Sequence, residues 1–576
     1  MEINKNTKVT YEEIANGIKD EYACIYSPDG KRLLEGNKEI TSYTIKEGTE
    51  VICNYAFEEC RSLKSIVIPE SVTEVGSSPF SLGIELISHS NRFVVEDDLL
   101  IDLKEKRLIQ CLKNKKHVDI PNSVTSIGDK AFWVCSSLKS IVIPDSVTEI
   151  GDDAFSWCTS LQSIVIPEAV TKIGNGAFDN CKSLQSIVIP ESVTSIGDWA
   201  FSSCDSLQSI VIPDSVTKIG ESAFSWCTSL QSIVIPEAVT SIGDKAFWVC
   251  SSLKSIVIPD SVTEIGVKPF DLGIELISHS NRFVVEDDLL IDLEEKRLIQ
   301  CLKNKKHVDI PDSVTEIGGW AFWCGWAFSV CSSLKSIVIP EAVTKIGDCA
   351  FRFCDSLQSI VIPDSVTSIG DSAFSLCGSL QSIVIPQSVT EIGGMPFPLG
   401  IELISHSNRF VVEDDLLIDL KEKRLIQCVK DKDTIVIPNS VTSIGDKAFS
   451  WCKSLQSIVI PDSVTKIGNE AFKDCDSLQS IVIPDSVTKI GGDAFQLCKS
   501  LQSIVITNSV TSIGDGAFSV CSSLKSIVIP DSVTEIGNGA FSGCESLQSI
   551  VIPKGTKEQF ENVLEKEYHH LLKEME

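Results

Sequence analysis

Twenty-two cysteines are the residues of this 576-residue chain with the most chemistry to offer. Thiolates bind zinc and carry redox reactions. A zinc site needs ligands in close pairs, and no CxxC occurs. Fifteen of the cysteines instead fill one position of a recurring AFxxC motif, as in Cys135, Cys158, Cys181, Cys204, Cys227 and Cys250, each 23 residues from the last. Thiols projecting in parallel from like backbones are read as a file of small buried apolar residues, unbonded to one another. Cys24, Cys53, Cys111, Cys301, Cys324, Cys349 and Cys428 lie outside that file and are expected to be the more reactive ones.

Carboxylates are the next candidates. Glu96-Asp97-Asp98 with Asp102 recurs as Glu286-Asp287-Asp288 with Asp292 and as Glu413-Asp414-Asp415 with Asp419. Such clusters could bind calcium through oxygen or pair as acid and base in a hydrolase. Three identical copies also suit solvated hairpin turns, and that is the reading taken. The seven histidines sit in copies over 100 residues apart (His89, His279 and His406; His117 and His307) or side by side at His569 and His570, so they build no metal site. Tryptophans Trp157, Trp226 and Trp451 precede the motif cysteine, and Trp133 and Trp248 follow the motif phenylalanine. They are expected on an outer, convex face, as a contact row or as rings stacked on each other. No nucleophile–base pair, GxxxxGK[ST] loop or GxGxxG fingerprint is present, so no catalytic residue, cofactor or metal is assigned.

The elements that position these residues follow from the repeat. A strand signature IVIP, or its variants VDIP and IVIT, occurs 18 times. In Leu161-Gln-Ser-Ile-Val-Ile-Pro167, Leu161, Ile164 and Ile166 point inward and Ser163 and Val165 outward, which favours a short strand closed by the proline. Val170 and Ile173 return to the core, and Gly174 supplies a positive φ at the corner. Phe178 and Cys181, three apart, suit one helical or 3₁₀ turn. A single unit is too small to be stable alone, so neighbours must cover both of its faces. A longer block, LGIELISHSNRFVVEDDLLIDL, interrupts the array at Leu82, Leu272 and Leu399, and a six-residue slip stands at 319–324. The outward strand residues Gln162, Ser163, Val165, Gln185, Ser186, Val188, Gln208, Ser209 and Val211 offer a nearly uniform surface, suited to an extended ligand.

The pattern LxxIxIPxxVxxIGxxAFxxC resembles the BspA-like leucine-rich repeats over about residues 45 to 553. The inserted block resembles that family's hairpin island, with Asp97-Asp98 in place of its usual aspartate–glycine turn. The resemblance implies an α/β solenoid: a curved right-handed superhelix with one parallel sheet of short strands, three hairpin islands and helical caps at both ends. The expected layout is a cap of helix plus hairpin over 1–44, the array over 45–553 with islands near 80–118, 270–308 and 397–434, and a capping helix over 554–576. Thr10-Tyr-Glu-Glu13 is a capping-box match for the first helix.

The resemblance also implies a non-catalytic adhesion or cell-interaction protein, with a partner among matrix or cell-surface proteins. The alternative is an intracellular scaffold. Fifty Lys and Arg against 79 Asp and Glu give a net charge of −29, which argues against nucleic acid as a partner. No apolar run approaches the ~18 residues of a membrane helix. A monomer is expected. The first residues carry no signal-peptide pattern, which points to the cytoplasm, unless a leader is missing or export is non-classical and the protein is surface-bound or secreted.

Overall fold

The computed structural model describes residues 6–322 and 333–575. Part of the slip at 319–324 lies outside the described residues, as do Cys324 and Cys331. The chain divides into two compact units, Met1–Asp288 and Leu289–Glu576, each a stack of coils of about 23 residues.

One coil of the first unit shows the construction. Ser163–Val165 forms a strand paired in parallel with Ser186–Val188, residue opposite equivalent residue. Ile164 and Ile166 are buried and Val165 is exposed, as the alternation predicts. After Pro167 the chain turns, and the Val170 N–H donates to the Pro167 carbonyl at 3.0 Å. A second strand follows, only two residues long, at Lys172–Ile173, paired in parallel with Glu149–Ile150. The expected single parallel sheet is therefore corrected: each stack carries two ladders. The Val-Thr-x-Ile segment is as extended as Ile-Val-Ile, and once coils stack its backbone groups meet partners 23 residues away.

The third side of the coil is also not the expected helical turn. The Cys158 N–H does donate to the Phe155 carbonyl at 3.1 Å. But Trp157 lies at φ 62°, which makes this a type II turn, and Asp153 two residues ahead of Phe155 lies at φ 54°. Left-handed backbone at such residues costs of order 1 kcal/mol. Bonds to the next coil offset it: Asp153, Phe155 and Trp157 N–H groups donate to the Asn175, Ala177 and Asp179 carbonyls at 2.7, 2.8 and 2.8 Å. Among the described residues both α-helices lie in the caps, so the architecture is a β-solenoid with little helix.

Gly174 does not adopt the positive φ expected of it. A Cβ there would stand 2.5 Å from the Gly151 carbonyl carbon and 2.6 Å from Asp152 N. The glycine is needed because the backbones of adjacent coils touch. Beside it the Asp152 carboxylate accepts the Asn175 N–H at 2.8 Å, and the Asn175 side chain accepts the Asp198 N–H at 2.9 Å. Inside, Phe132, Phe155, Phe178, Phe201, Phe224 and Phe247 stack at 5.0–5.5 Å with rings within 9° of parallel.

The islands are built into the stack. Phe93–Glu96 and Leu99–Asp102 form an antiparallel hairpin, and Asp97 and Asp98 lie at φ 53° and 63°, the conformation a type I′ turn requires. Leu99–Asp102 is buried along its whole length, and Arg107–Cys111 beyond it opens the next two-residue ladder through Leu108 and Ile127. Where the island interrupts the coils, Phe80 has no following Ala-Phe backbone to pair with. Gln110 replaces it: its Nε2 donates to the Phe80 carbonyl at 2.7 Å and its Oε1 accepts the Phe80 N–H at 3.2 Å. Gln427 serves Phe397 in the same way, at 2.7 and 3.1 Å.

At the N-terminus Tyr11–Ala15 is helical, and both halves of the capping box form between Thr10 and Glu13. The hairpin of Ile25–Tyr26 and Arg32–Glu35 follows. At the other end the helix expected over 554–576 is confined to Lys557–Val563. A 3₁₀ turn, Lys566–Leu571, leads into a strand, Leu572–Glu574, laid parallel to Ser549–Ile552. That last coil would otherwise present an unpaired strand edge, which a strand can satisfy and a helix cannot.

Candidate functional site

The outward residues of the first strand are brought together as the sequence predicts. Gln162, Ser163 and Val165 line up with Gln185, Ser186 and Val188 and with Gln208, Ser209 and Val211, all exposed. The Gln185 N–H donates to the Gln162 carbonyl at 3.0 Å, so the column is fixed by backbone bonds. The valines are its most unusual feature. Val142, Val165, Val188, Val211 and Val234 are 61–77% exposed, one per coil, at a strand spacing of about 4.8 Å. Single exposed apolar residues are ordinary, but a continuous file of them is not.

The tryptophans do not form one row. Trp157 is half exposed, while Trp133, Trp226, Trp248 and Trp451 are partly covered. Trp226 and Trp248 meet edge to face at 5.6 Å. Lys130 lies 5.1 Å from the Trp133 ring, and Lys453 5.6 Å from Trp451. Trp199, which the motif reading passed over, is as exposed as Trp157 and stands at the other left-handed corner of its coil, two residues after Gly197. That offset from the glycine was the available signal.

The island carboxylates are engaged. Asp98 pairs with Lys113 at 3.1 Å and Lys115 at 2.7 Å, and the Lys115 ammonium holds its carboxyl below the ordinary range. Asp415 pairs likewise with Lys430 and Lys432. Asp102 belongs to no exposed turn: it is 1% exposed. Arg92 grips it with Nε at 2.9 Å and Nη2 at 2.7 Å. Arg92 also donates to the Thr73 carbonyl. Burial pushes the Asp102 carboxyl up, but Arg92 and the Glu105 and Lys104 N–H groups outweigh it and keep it low. Arg409 and Asp419 repeat the clamp at 2.9 and 2.7 Å. Among the described residues no His, Cys, Asp and Glu gather in threes to hold a metal.

The cysteines have a structural task that spacing alone did not reveal. The Cys158 Sγ donates to the Phe132 carbonyl of the previous coil at 3.2 Å, Cys181 to Phe155 at 3.2 Å, and so on along the file. Burial raises the Cys158 and Cys181 thiols, keeping them protonated donors. Of the cysteines expected to be more reactive, Cys24, Cys53, Cys111, Cys301, Cys349 and Cys428 are all buried, and Cys324 lies outside the described residues. The His117 ring bonds Ser140 at 2.7 Å and His307 bonds Ser336 at 2.6 Å, both on the strand face.

A family description, BspA type Leucine rich repeat region, matches in six copies, over residues 30–158, 102–228, 148–277, 325–406, 427–548 and 488–569. No curated protein matches the chain. Among solved structures, a leucine rich cell surface protein from Faecalibacterium prausnitzii A2-165 is 28% identical, covering 82% of this chain and 98% of that one at a TM-score of 0.31. A leucine-rich repeat protein from Bacteroides ovatus ATCC 8483 is 23% identical, covering 99% and 100% at 0.30. The T. pallidum Leucine Rich Repeat protein is 34% identical, covering 31% of this chain and 85% of its own at 0.28.

Proposed function

The chain belongs to the BspA-type leucine-rich repeat family, and on that premise we propose that it is a non-catalytic, protein-binding repeat protein of the adhesion or cell-interaction kind. Its ligand is a matrix or cell-surface protein, engaged along the strand face. One observation carries this reading: the file of exposed valines flanked by exposed serines and glutamines, repeated coil after coil without a cover. Such a face offers little affinity per coil and gains it by length, which suits an extended partner. The rigid backbone ladder beneath it means little ordering entropy is lost on binding.

The test is adhesion of purified protein to immobilised matrix proteins and to intact cells. Val165→Ser, Val188→Ser and Val211→Ser combined should abolish capture and leave the melting temperature within a few degrees of the parent. Undiminished capture would remove the strand face from the account. Protease shaving of intact producer cells tests surface placement: release of the array supports it, and full protection returns the protein to an intracellular scaffold role.

A further inference from the structure

The strand face is not equally charged along the chain. Three residues past each valine, beyond the strand proline, stands one side chain per coil. Between residues 138 and 260 that position is acidic six times in succession: Asp145, Glu168, Glu191, Asp214, Glu237 and Asp260. All six are exposed, and among the described residues no Lys or Arg pairs with any of them. In the second unit the file is broken by Gln387, Asn439 and Asn508. The opposite flank of the valine file carries Lys139, four glutamines (Gln162, Gln185, Gln208, Gln231) and Lys254, so the face is polarised across its width.

Six like charges at about 4.8 Å intervals repel one another. In the second ladder opposite charges meet between neighbouring coils, as where Lys172 pairs with Glu149 at 3.3 Å. Here no such pair forms, and the unneutralised file runs beside five successive exposed valines, Val142 to Val234. Apolar file and anionic file lie roughly 10 Å apart, three residues at about 3.3 Å each.

Building on the protein-binding reading, we propose that residues 138–260 dock a basic amphipathic α-helix of a partner protein, laid along the stack. Its apolar stripe covers the valines and its Lys and Arg flank lies over the carboxylates. The periodicities select a helix over a strand. A helix repeats every 5.4 Å, close to the roughly 4.8 Å of the coils, so apolar residues one turn apart stay near successive valines. An extended peptide repeats its face every ~6.7 Å and falls out of step within two coils. Five valines span about 19 Å, the length of a helix of about 13 residues.

The experiment uses the full-length protein and three labelled 16-residue synthetic peptides that are helical by design: one with a leucine stripe and a lysine flank, its Lys→Glu counterpart, and one with the lysines moved to the face opposite the leucines. Fluorescence anisotropy should show binding of the first only, weakened at least tenfold at 0.5 M salt. Glu168→Gln, Glu191→Gln and Asp214→Asn combined should weaken it at least tenfold; Asp462→Asn and Asp485→Asn in the second unit should leave it within twofold. Equal binding of the glutamate peptide, no binding of the lysine peptide, or indifference to the acidic triple variant would overturn the proposal. If the valine variant loses capture of matrix or cell-surface protein while the acidic variant retains it, the protein-binding reading stands and the helix proposal falls.

Discussion

Gly174→Ala tests whether coil contact, rather than backbone freedom, requires the repeat glycine. The new Cβ would sit 2.5 Å from the Gly151 carbonyl carbon, against an ordinary carbon contact of 3.5–4.0 Å. About 1 Å of overlap must be relieved, and the atoms it meets are backbone. Separating the two coils by that much stretches the bonds from Gly174 N–H to the Ile150 carbonyl (2.9 Å) and from Asn175 N–H to the Asp152 carboxylate (2.8 Å). Two bonds at ~1 kcal/mol each, added to the ~1–3 kcal/mol of overpacking, give about 3–5 kcal/mol. If the unit Met1–Asp288 melts cooperatively, that is a drop of roughly 6–20 °C. Gly378→Ala is the control: no atom lies within 4 Å of its Cβ and its φ is not left-handed, so stability should hold or rise by about 0.5 kcal/mol. Calorimetry reads the melting temperature, and hydrogen exchange should lose protection around residues 140–196 while residues 449–541 stay protected. A Gly174→Ala protein that melts within 1 °C of the parent would refute the contact argument. So would a Gly378→Ala protein that is equally damaged.

Gln427→Leu leaves the Phe397 N–H and C=O buried without partners, and a loss of about 2–4 kcal/mol should appear in the denaturant midpoint of the second unit. Ser192 donates to the Val170 carbonyl at 2.5 Å, a bond that Ala169 and Ala238 cannot make in their own coils. Ala169→Ser and Ala238→Ser should therefore each add about 1 kcal/mol, read as a raised melting temperature. Asp102 and Asp419 are held below their unfolded pKa, so their clamps contribute fully above about pH 4 and are lost as pH falls through the lowered folded value. Asp102→Asn should cost about 3 kcal/mol at pH 7 and flatten the acid limb of the stability curve; an unchanged limb would count against the clamp.

Much of the fold was legible because it is written in short spacings. Ile164 and Ile166 inside with Val165 outside needs only strand alternation, and Pro167 only its missing N–H. The paired left-handed aspartates at 97 and 98, and the Thr10–Glu13 capping box, were equally local. The strand-face candidates followed directly, since any residue between two inward isoleucines must face out. The buried role of Asp102 was hidden because Arg92, its partner, lies one strand away across the hairpin. The short final helix was hidden because an amphipathic spacing at Phe560, Val563, Leu564, Leu571 and Leu572 says nothing about the strand edge waiting at Ser549–Ile552.

By itself the amino-acid sequence determined the 23-residue period, the inward and outward sides of the first strand, the islands and the family. Only the stacked structure decided that Lys172–Ile173 is a second strand, that Gly174 is there for the neighbouring backbone, that motif cysteines such as Cys158 and Cys181 bind the previous coil's phenylalanine carbonyl, and that Gln110 and Gln427 stand in for missing coils. The reason is the same in each case. These contacts join residues some 20 to 30 positions apart, and no local preference for helix, strand or turn encodes what a residue meets when its own repeat is laid upon the next.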